Sequence, residues 1–446
     1  MIPYSRTFDQ QTLTHMIEHD PVVQRYRAFF ASFDWSVVPE PVIDPSQPGQ
    51  RPHPQAVYIK ALLLKLEENL TYCTRLRRFL VEHPLLVLEL GFRPVLNVEL
   101  PYGFDVERTV PTARWFTHQQ RTLSRGVLQT VLLRTVEDLR DEIAGLGEVV
   151  SFDVTHIYAW VRENNPRVYV QGPFDVTHIP KGDPDCRLGV KKSSNQEQAD
   201  GTVKKKKESL FGYGSGIASC TDPVYGDVIL AEYTQPFNQG DITYFFPLYV
   251  QTVATLGFFP THLAADAAFD AWYCYQATAS RGGIAAIPLN EHGHPESRRD
   301  TDGVPLCAKG LRMHPTCQFS HTYGYRAQRF RCPLLFPHTT DAACDHAQFV
   351  KGTGCVKDLN WELGGQMRVT LHREGPLYKG VYRQRTSTER GNSHAQALGL
   401  KRPKVRNMDS VRNLNTLIYL LINARALQRA RTLNAGLLTT MLGKVA

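Results

Sequence analysis

Apolar residues fall into two textures along this chain. Up to about residue 147 they recur three and four apart, as Ile59, Leu62, Leu63 and Leu66 do within Gln55–Leu70. That spacing predicts helices with one buried face. Leu76, Phe79 and Leu80 repeat it over Thr74–Glu82, with Arg75, Arg77 and Arg78 around them. Pro84 interrupts, and Gly91 with Pro94 ends the next short apolar stretch. A long helix is predicted over Ala113–Ile143, closed by the turn Gly145-Leu146-Gly147. Residues 1–147 are therefore expected to form a helical N-terminal domain. The helices flanking Thr71-Tyr72-Cys73 fit either a helix–turn–helix-like pair contacting DNA or a plain bundle with a solvated basic face.

Beyond Gly147 the runs become short and strand-like: Glu148–Phe152, Ile157–Val161, Leu210–Ser219 and Val228–Tyr233. A helix follows over Phe246–Leu256, with Pro247 tolerable in its first turn. Then come a strand ending at Ala265, a helix over Phe269–Ala279 and a strand over Ile284–Pro288. Strands first, then alternation, predict an α/β unit over 148–446 with a mixed sheet flanked by helices. The pattern dissolves over about 290–365, which reads as an insertion, and returns as a strand over Gln366–His372. Lys191-Lys192 and Lys204–Lys207 bracket a polar stretch, Ser193–Thr202, expected to be a mobile surface loop able to touch DNA backbone. Gly212, Gly214 and Gly216 lack the strand-to-helix setting of a phosphate loop, and predict a strand that other groups approach closely.

Composition narrows the class. Hydrophobic residues make up 42% and charged residues 21%, a folded rather than disordered chain. A net charge of +8 favours a polyanionic partner only weakly. Nine cysteines, an odd number, suit a reducing compartment. The run Leu417–Ile422 is too short to span a bilayer, and MIPYSRTFDQQ has neither a basic n-region nor an apolar h-region. A cytoplasmic protein is expected.

Three carboxylates then stand out. Asp153 ends Val149-Val150-Ser151-Phe152, Asp266 ends Thr261-His262-Leu263-Ala264-Ala265, and Glu389 lies in Tyr382-x-x-Arg385-x-x-x-Glu389. Two strand-end acids and a third on a later helix can converge on hard divalent cations, which suit phosphodiester chemistry. Phe-Asp-Val-Thr-His-Ile occurs at both 152–157 and 174–179, so Asp175 competes with Asp153. Asp175 sits in a loop context, after Gln171-Gly172-Pro173, and Asp153 is preferred. Asp266 is preferred to Asp270, which is expected in the first turn of a helix, where an acid is favoured anyway. Tyr382, Arg385 and Glu389 share one stripe if this segment is a single helix. The alternative is a salt-bridged surface helix.

Tyr-x-x-Arg-x-x-x-Glu, preceded by a strand-end Asp and by Ala265-Asp266-x-x-Phe269-Asp270, resembles the DDE transposases of bacterial insertion sequences. The N-terminal pattern is similar to the helical domain many of them carry: His53-Pro54, a Leu-rich helix, Thr71-Tyr72, Arg75-Leu76 and Leu90-Gly91. The resemblance implies a ribonuclease H-like catalytic domain with an insertion before the final Glu. It implies that Asp153, Asp266 and Glu389 bind Mg²⁺ or Mn²⁺, with Asp153 bridging two ions. It also implies that a homodimer cuts and joins double-stranded DNA at transposon ends and that Tyr382 and Arg385 meet that DNA; Lys204, Lys205, Lys206 and Lys207, if the sheet carries such a site, are the basic run placed to touch its backbone. Where the family usually has a Lys seven residues after the Glu, this chain has Gln396, and neither Lys401 nor Arg402 has the helical phase to replace it. A nuclease without strand transfer and a catalytically silent DNA-binding derivative are the alternatives. The insertion holds Cys307, Cys317, Cys332, Cys344 and Cys355, of which Cys307, Cys332, Cys344 and Cys355 are candidate ligands for a structural Zn²⁺.

Overall fold

The computed structural model describes residues 8–40, 51–165, 177–197, 203–290 and 298–442, with backbone only over 191–197, 203–208 and 439–442. Its first part is helical: α1 (Gln10–His19), α2 (Pro21–Phe30), α3 (Gln55–Glu67), α4 (Cys73–Glu82) and α5 (Pro84–Leu90). A small hairpin, β1 (Val95–Leu96) with β2 (Phe104–Asp105), leads through α6 (Val106–Thr109) to α7 (Ala113–Thr122) and α8 (Arg125–Glu142). The single helix expected over Ala113–Ile143 is thus two. Asn413 explains the break, since its buried amide donates to the carbonyls of Gln120 and Leu123 and ends α7 from outside. Of the arginines on α4, Arg77 pairs with Glu107 and Arg78 with Glu82.

The sheet is built from β3 (Val149–Tyr158), β4 (Arg187–Glu197), β5 (Val203–Asp222), β6 (Gly226–Pro236), β7 (His262–Ala265) and β8 (Ala285–Ala286). Between its strands run α9 (Phe245–Leu256) and α10 (Trp272–Ala279). Antiparallel pairing joins β6 to β5 and β5 to β3; parallel pairing joins β3 to β7 and β7 to β8. Gly212 of β5 faces Arg187 of β4 on one side and Tyr158 of β3 on the other. Strands β4 and β6 therefore follow one another along the same edge of β5. The sheet is mixed and flanked by helices, as the pattern predicted.

Two expectations fail here. The segments Glu148–Phe152 and Ile157–Val161 belong to one strand, because β5 pairs with β3 continuously from Ser151 to Tyr158. Asp153 accordingly lies within a strand, not at its end. The lysine-flanked loop is also a hairpin: Lys192 pairs with Lys207 and Ser193 with Lys206, and residues 198–202 lie outside the described residues. Backbone groups complete such a ladder whatever the side-chain polarity, so composition could not reveal it.

The alternating glycines do serve close approach. A Cβ on Gly212 would overlap the carbonyl oxygen of Ile157, while Gly214 and Gly216 lie against Tyr244. Both faces of the sheet are buried. Phe211, Tyr213 and Ile217 join a core with the N-terminal helices, whereas Ala218 and Cys220 pack with α9, α10 and β7 on the opposite face.

Residues 298–361 contain β9 (His314–Ser320), β10 (Arg326–Arg331), α11 (Ala347–Val350) and β11 (Val356–Asn360). The three strands form a separate antiparallel sheet with a small core of Val304, Cys307, Met313 and Phe330. The chain returns through α12 (Leu363–Thr370), α13 (Pro376–Arg383), α14 (Thr386–Ala397) and α15 (Met408–Leu442). A strand was expected over Gln366–His372, but most of it belongs to α12. Gly364 there packs against the backbone of α10, and Arg368 reaches back to Asp270. No helix among the described residues is long and apolar enough to cross a membrane.

Replacing Gly212 by Ala forces a side chain into the β3 backbone. We expect a loss of about 3 kcal/mol in unfolding free energy, read by urea denaturation. An unchanged midpoint would refute the packing account.

Candidate active-site cleft

Strand register brings the first two acids together. Phe152 of β3 is opposite Ala265 of β7 in the parallel pair, so Asp153 and Asp266 follow as neighbours on adjacent strands. Adjacent strands lie about 4.8 Å apart, close enough for the two charges to repel. Both side chains are partly buried. Asp266 caps the turn after β7 by accepting from the Ala268 amide at 3.0 Å.

Helix α14 brings the third. Gly391 lets it lie close against Ile217 and Ile229, the Ser387 hydroxyl meets Ser219 at 2.8 Å, and Arg390 grips Asp227 with two nitrogens. This places Glu389, Asn392 and Gln396 along one wall of a cleft of about 820 Å³, which Asp153, Asp266, His156 and Asp241 also line. The expected stripe of Tyr382, Arg385 and Glu389 is not a single helix. α13 ends at Arg383 and α14 begins at Thr386, with Arg385 at the junction. Arg385 and Glu389 still form an ion pair, and Tyr382 stacks on Tyr378.

Asn392 was missed in the sequence. Its Nδ2 donates to Asp153 Oδ2 at 2.8 Å, tying α14 to β3 at the cleft. The available signal was the spacing Glu389, Asn392, Gln396, three polar residues three and four apart on one helix. Asp270 is otherwise employed. Both its oxygens meet Arg368, Tyr275 donates to it and the Asn290 amide adds another bond. That engagement supports Asp266 over Asp270. Asp175 lies outside the described residues.

Burial, reinforced by the Asp266 charge, pushes the Asp153 carboxyl up to about 6, against the pull of the Val154 amide, Arg385 and Asn392. Burial also raises Asp266. Two partly desolvated carboxylates that repel one another are a destabilising arrangement that a hard cation would relieve. Asn392 Oδ1 is buried with no hydrogen-bond partner among the described residues, a further oxygen facing this region. Asp153 and Asp266 thus fit a divalent cation. Glu389 does so less well, since its carboxylate is turned to Arg385, and no three His, Cys, Asp or Glu side chains form a ligand group among the described residues. The same holds for the insertion. Cys307 and Cys332 are buried, Cys344 and Cys355 partly so, and Cys355 Sγ lies 3.8 Å from His346 Nδ1, but the thiols are not gathered as a Zn²⁺ site.

No model of a known protein family matches this chain, and the comparison with curated proteins finds no match.

Because the Asp153 carboxyl is raised in the folded state, its contribution to stability is complete below about 3.8 and is lost as pH rises towards about 6. In cation-free buffer at pH 8, Asp153→Asn should therefore stabilise the protein by up to about 3 kcal/mol, and should do nothing at pH 3.5. Urea denaturation at the two pH values measures the difference. Equal effects at both would contradict the carboxylate-pair account.

Proposed function

We propose that this chain is a DDE-type transposase, with Asp153, Asp266 and Glu389 as the acids that hold two Mg²⁺ or Mn²⁺ ions. The observation that carries the reading is that three acids far apart in sequence, singled out by their local settings, line one cleft. The sheet, antiparallel across β6-β5-β3 and parallel across β3-β7-β8, supports a ribonuclease H-like domain. Bound there, divalent cations would supply nucleophile activation and charge neutralisation for phosphodiester chemistry, held by Asp153, Asp266 and Glu389.

The chain's own residues then have definite tasks. Asp153, within β3, and Asp266, just past the end of β7, would supply hard oxygen ligands. Asn392 fixes the orientation of Asp153. Arg385 sits where it can exchange Glu389 for a DNA phosphate, which releases the third acid towards the other two. DNA is the substrate in this reading, and the resemblance implies a homodimer acting on paired ends. The present pairing of Glu389 with Arg385 is the observation that favours a second reading, a DNA-binding derivative that no longer cuts.

A strand-transfer assay with Mg²⁺, using DNA that flanks the gene, decides between them. We expect joined products. Asp153→Ala, Asp266→Ala and Glu389→Ala should each lower cleavage at least roughly a thousandfold, about 4 kcal/mol in the barrier, with DNA binding retained. Cleavage without joining identifies a nuclease, binding without cleavage identifies the silent derivative, and full activity in any of the three variants refutes the assignment.

A further inference from the structure

Two hollows adjoin beyond the end of β3, where the chain emerges from α14. Trp160, Lys404 and Arg406 line both. The first, of about 480 Å³, adds Tyr158, Arg162 and Arg402; the second, of about 460 Å³, adds Arg114, His118 and Arg121 from α7. Among the described residues, no Asp or Glu lines either hollow. Of the acids near them, Glu163 meets His178, and Asp185 accepts from the Met408 amide.

The cations are held in place rather than loose. Arg406 lies over the Trp160 ring at 5.0 Å and Lys404 at 5.6 Å, while Arg402 lies over Tyr158 at 4.4 Å. Arg406 also donates to the Trp160 carbonyl. The loop that carries them is pinned by the Tyr158 amide bonding to the Lys401 carbonyl at 2.9 Å, and by the buried Pro403. Arg402, Lys404 and Arg406 themselves stay exposed. Like charges gathered without carboxylates repel one another, so the arrangement is stabilised by a polyanion. Aromatic rings restrict the side chains beforehand and reduce the ordering cost of binding.

We propose that this basic, ring-floored groove binds the phosphate backbone of duplex DNA, as a surface separate from the carboxylate cleft. Two of the elements that carry cleft acids lead to it: β3 runs from Asp153 to Tyr158, two residues short of Trp160, and α14 runs from Glu389 towards Arg402. Extended chain from Asp153 to Trp160 spans roughly 23 Å. That is about seven base pairs of duplex, so one duplex can occupy cleft and groove together. The choice of duplex DNA as occupant rests on the proposed DNA-acting cleft; the groove itself is defined by charge and ring placement alone.

Fluorescence anisotropy with the full chain and a labelled duplex of about 30 base pairs, titrated at roughly 50 to 200 mM NaCl, tests it. Lys404→Ala combined with Arg406→Ala should weaken binding about tenfold or more at 0.1 M salt. It should also reduce the slope of log affinity against log salt by about two, one for each lost phosphate contact. Because both residues are exposed, the melting temperature should not move. Trp160→Phe, which keeps a ring, should bind within about threefold of the parent, whereas Trp160→Ala should not. With EDTA present the parent should keep its affinity and slope, which separates this groove from failure of the cation-dependent cleft reading. The proposal is overturned if the parent binds no duplex, or if the double variant keeps its affinity and slope. It is also overturned if polyglutamate of equal charge displaces the labelled duplex from the parent at lower concentration than unlabelled duplex does, since the partner would then be an acidic protein.

Discussion

A polar seam between α15 and the sheet is the constraint on which the rest of the structure depends. Asn415 donates to Thr234, Thr416 to Glu232, Tyr419 meets Ser215, and Asn423 bonds both the amide and the carbonyl of Ile229. All of these α15 residues are buried. A buried polar group left without its partner costs about 1–3 kcal/mol, so a shift of α15 by even one residue would be penalised at several points at once. Apolar packing alone would tolerate such slippage. The seam fixes α15, and through it the loop over 399–407 and the position of α14.

The same seam links the halves of the chain. Gln129 of α8 donates to Glu232, Asn413 closes the end of α7, and Arg425 reaches Glu67 on α3. The N-terminal helices thus share one core with the sheet face that carries Asp153. Glu232, fully enclosed and raised by burial, is held by hydrogen bonds from Gln129 and Thr416. The cleft is built differently. There two acids sit side by side, and burial with mutual repulsion outweighs the hydrogen bonds that Asp153 receives from the Val154 amide and Asn392.

Much of the fold was legible from local pattern. The helices of the first part, the succession of strands and helices after Gly147 and the inserted segment all announced themselves by period and by Gly and Pro placement. Asp153 and Asp266 were visible because each follows a short apolar run, and the strand register then makes them neighbours. What failed did so where a partner overrides local preference. Asn413 ends α7 from nearly three hundred residues away, β5 extends β3 past an apolar run that stops, and Arg368 draws its segment into a helix against α10. The lysine-rich hairpin is a backbone ladder, and its composition reads like a loop.

The sequence by itself determined periodicity, and with it the succession of helices and strands, the choice of carboxylates and the identity of the arginine beside Glu389. Only the tertiary structure decided that Asn392 holds Asp153, that Asp270 is consumed by Arg368, and that Arg406, Lys404 and Arg402 lie over Trp160 and Tyr158. The physical reason is range. Side-chain spacing encodes which face of an element is buried, but which charges meet depends on register and on contacts between residues hundreds of positions apart.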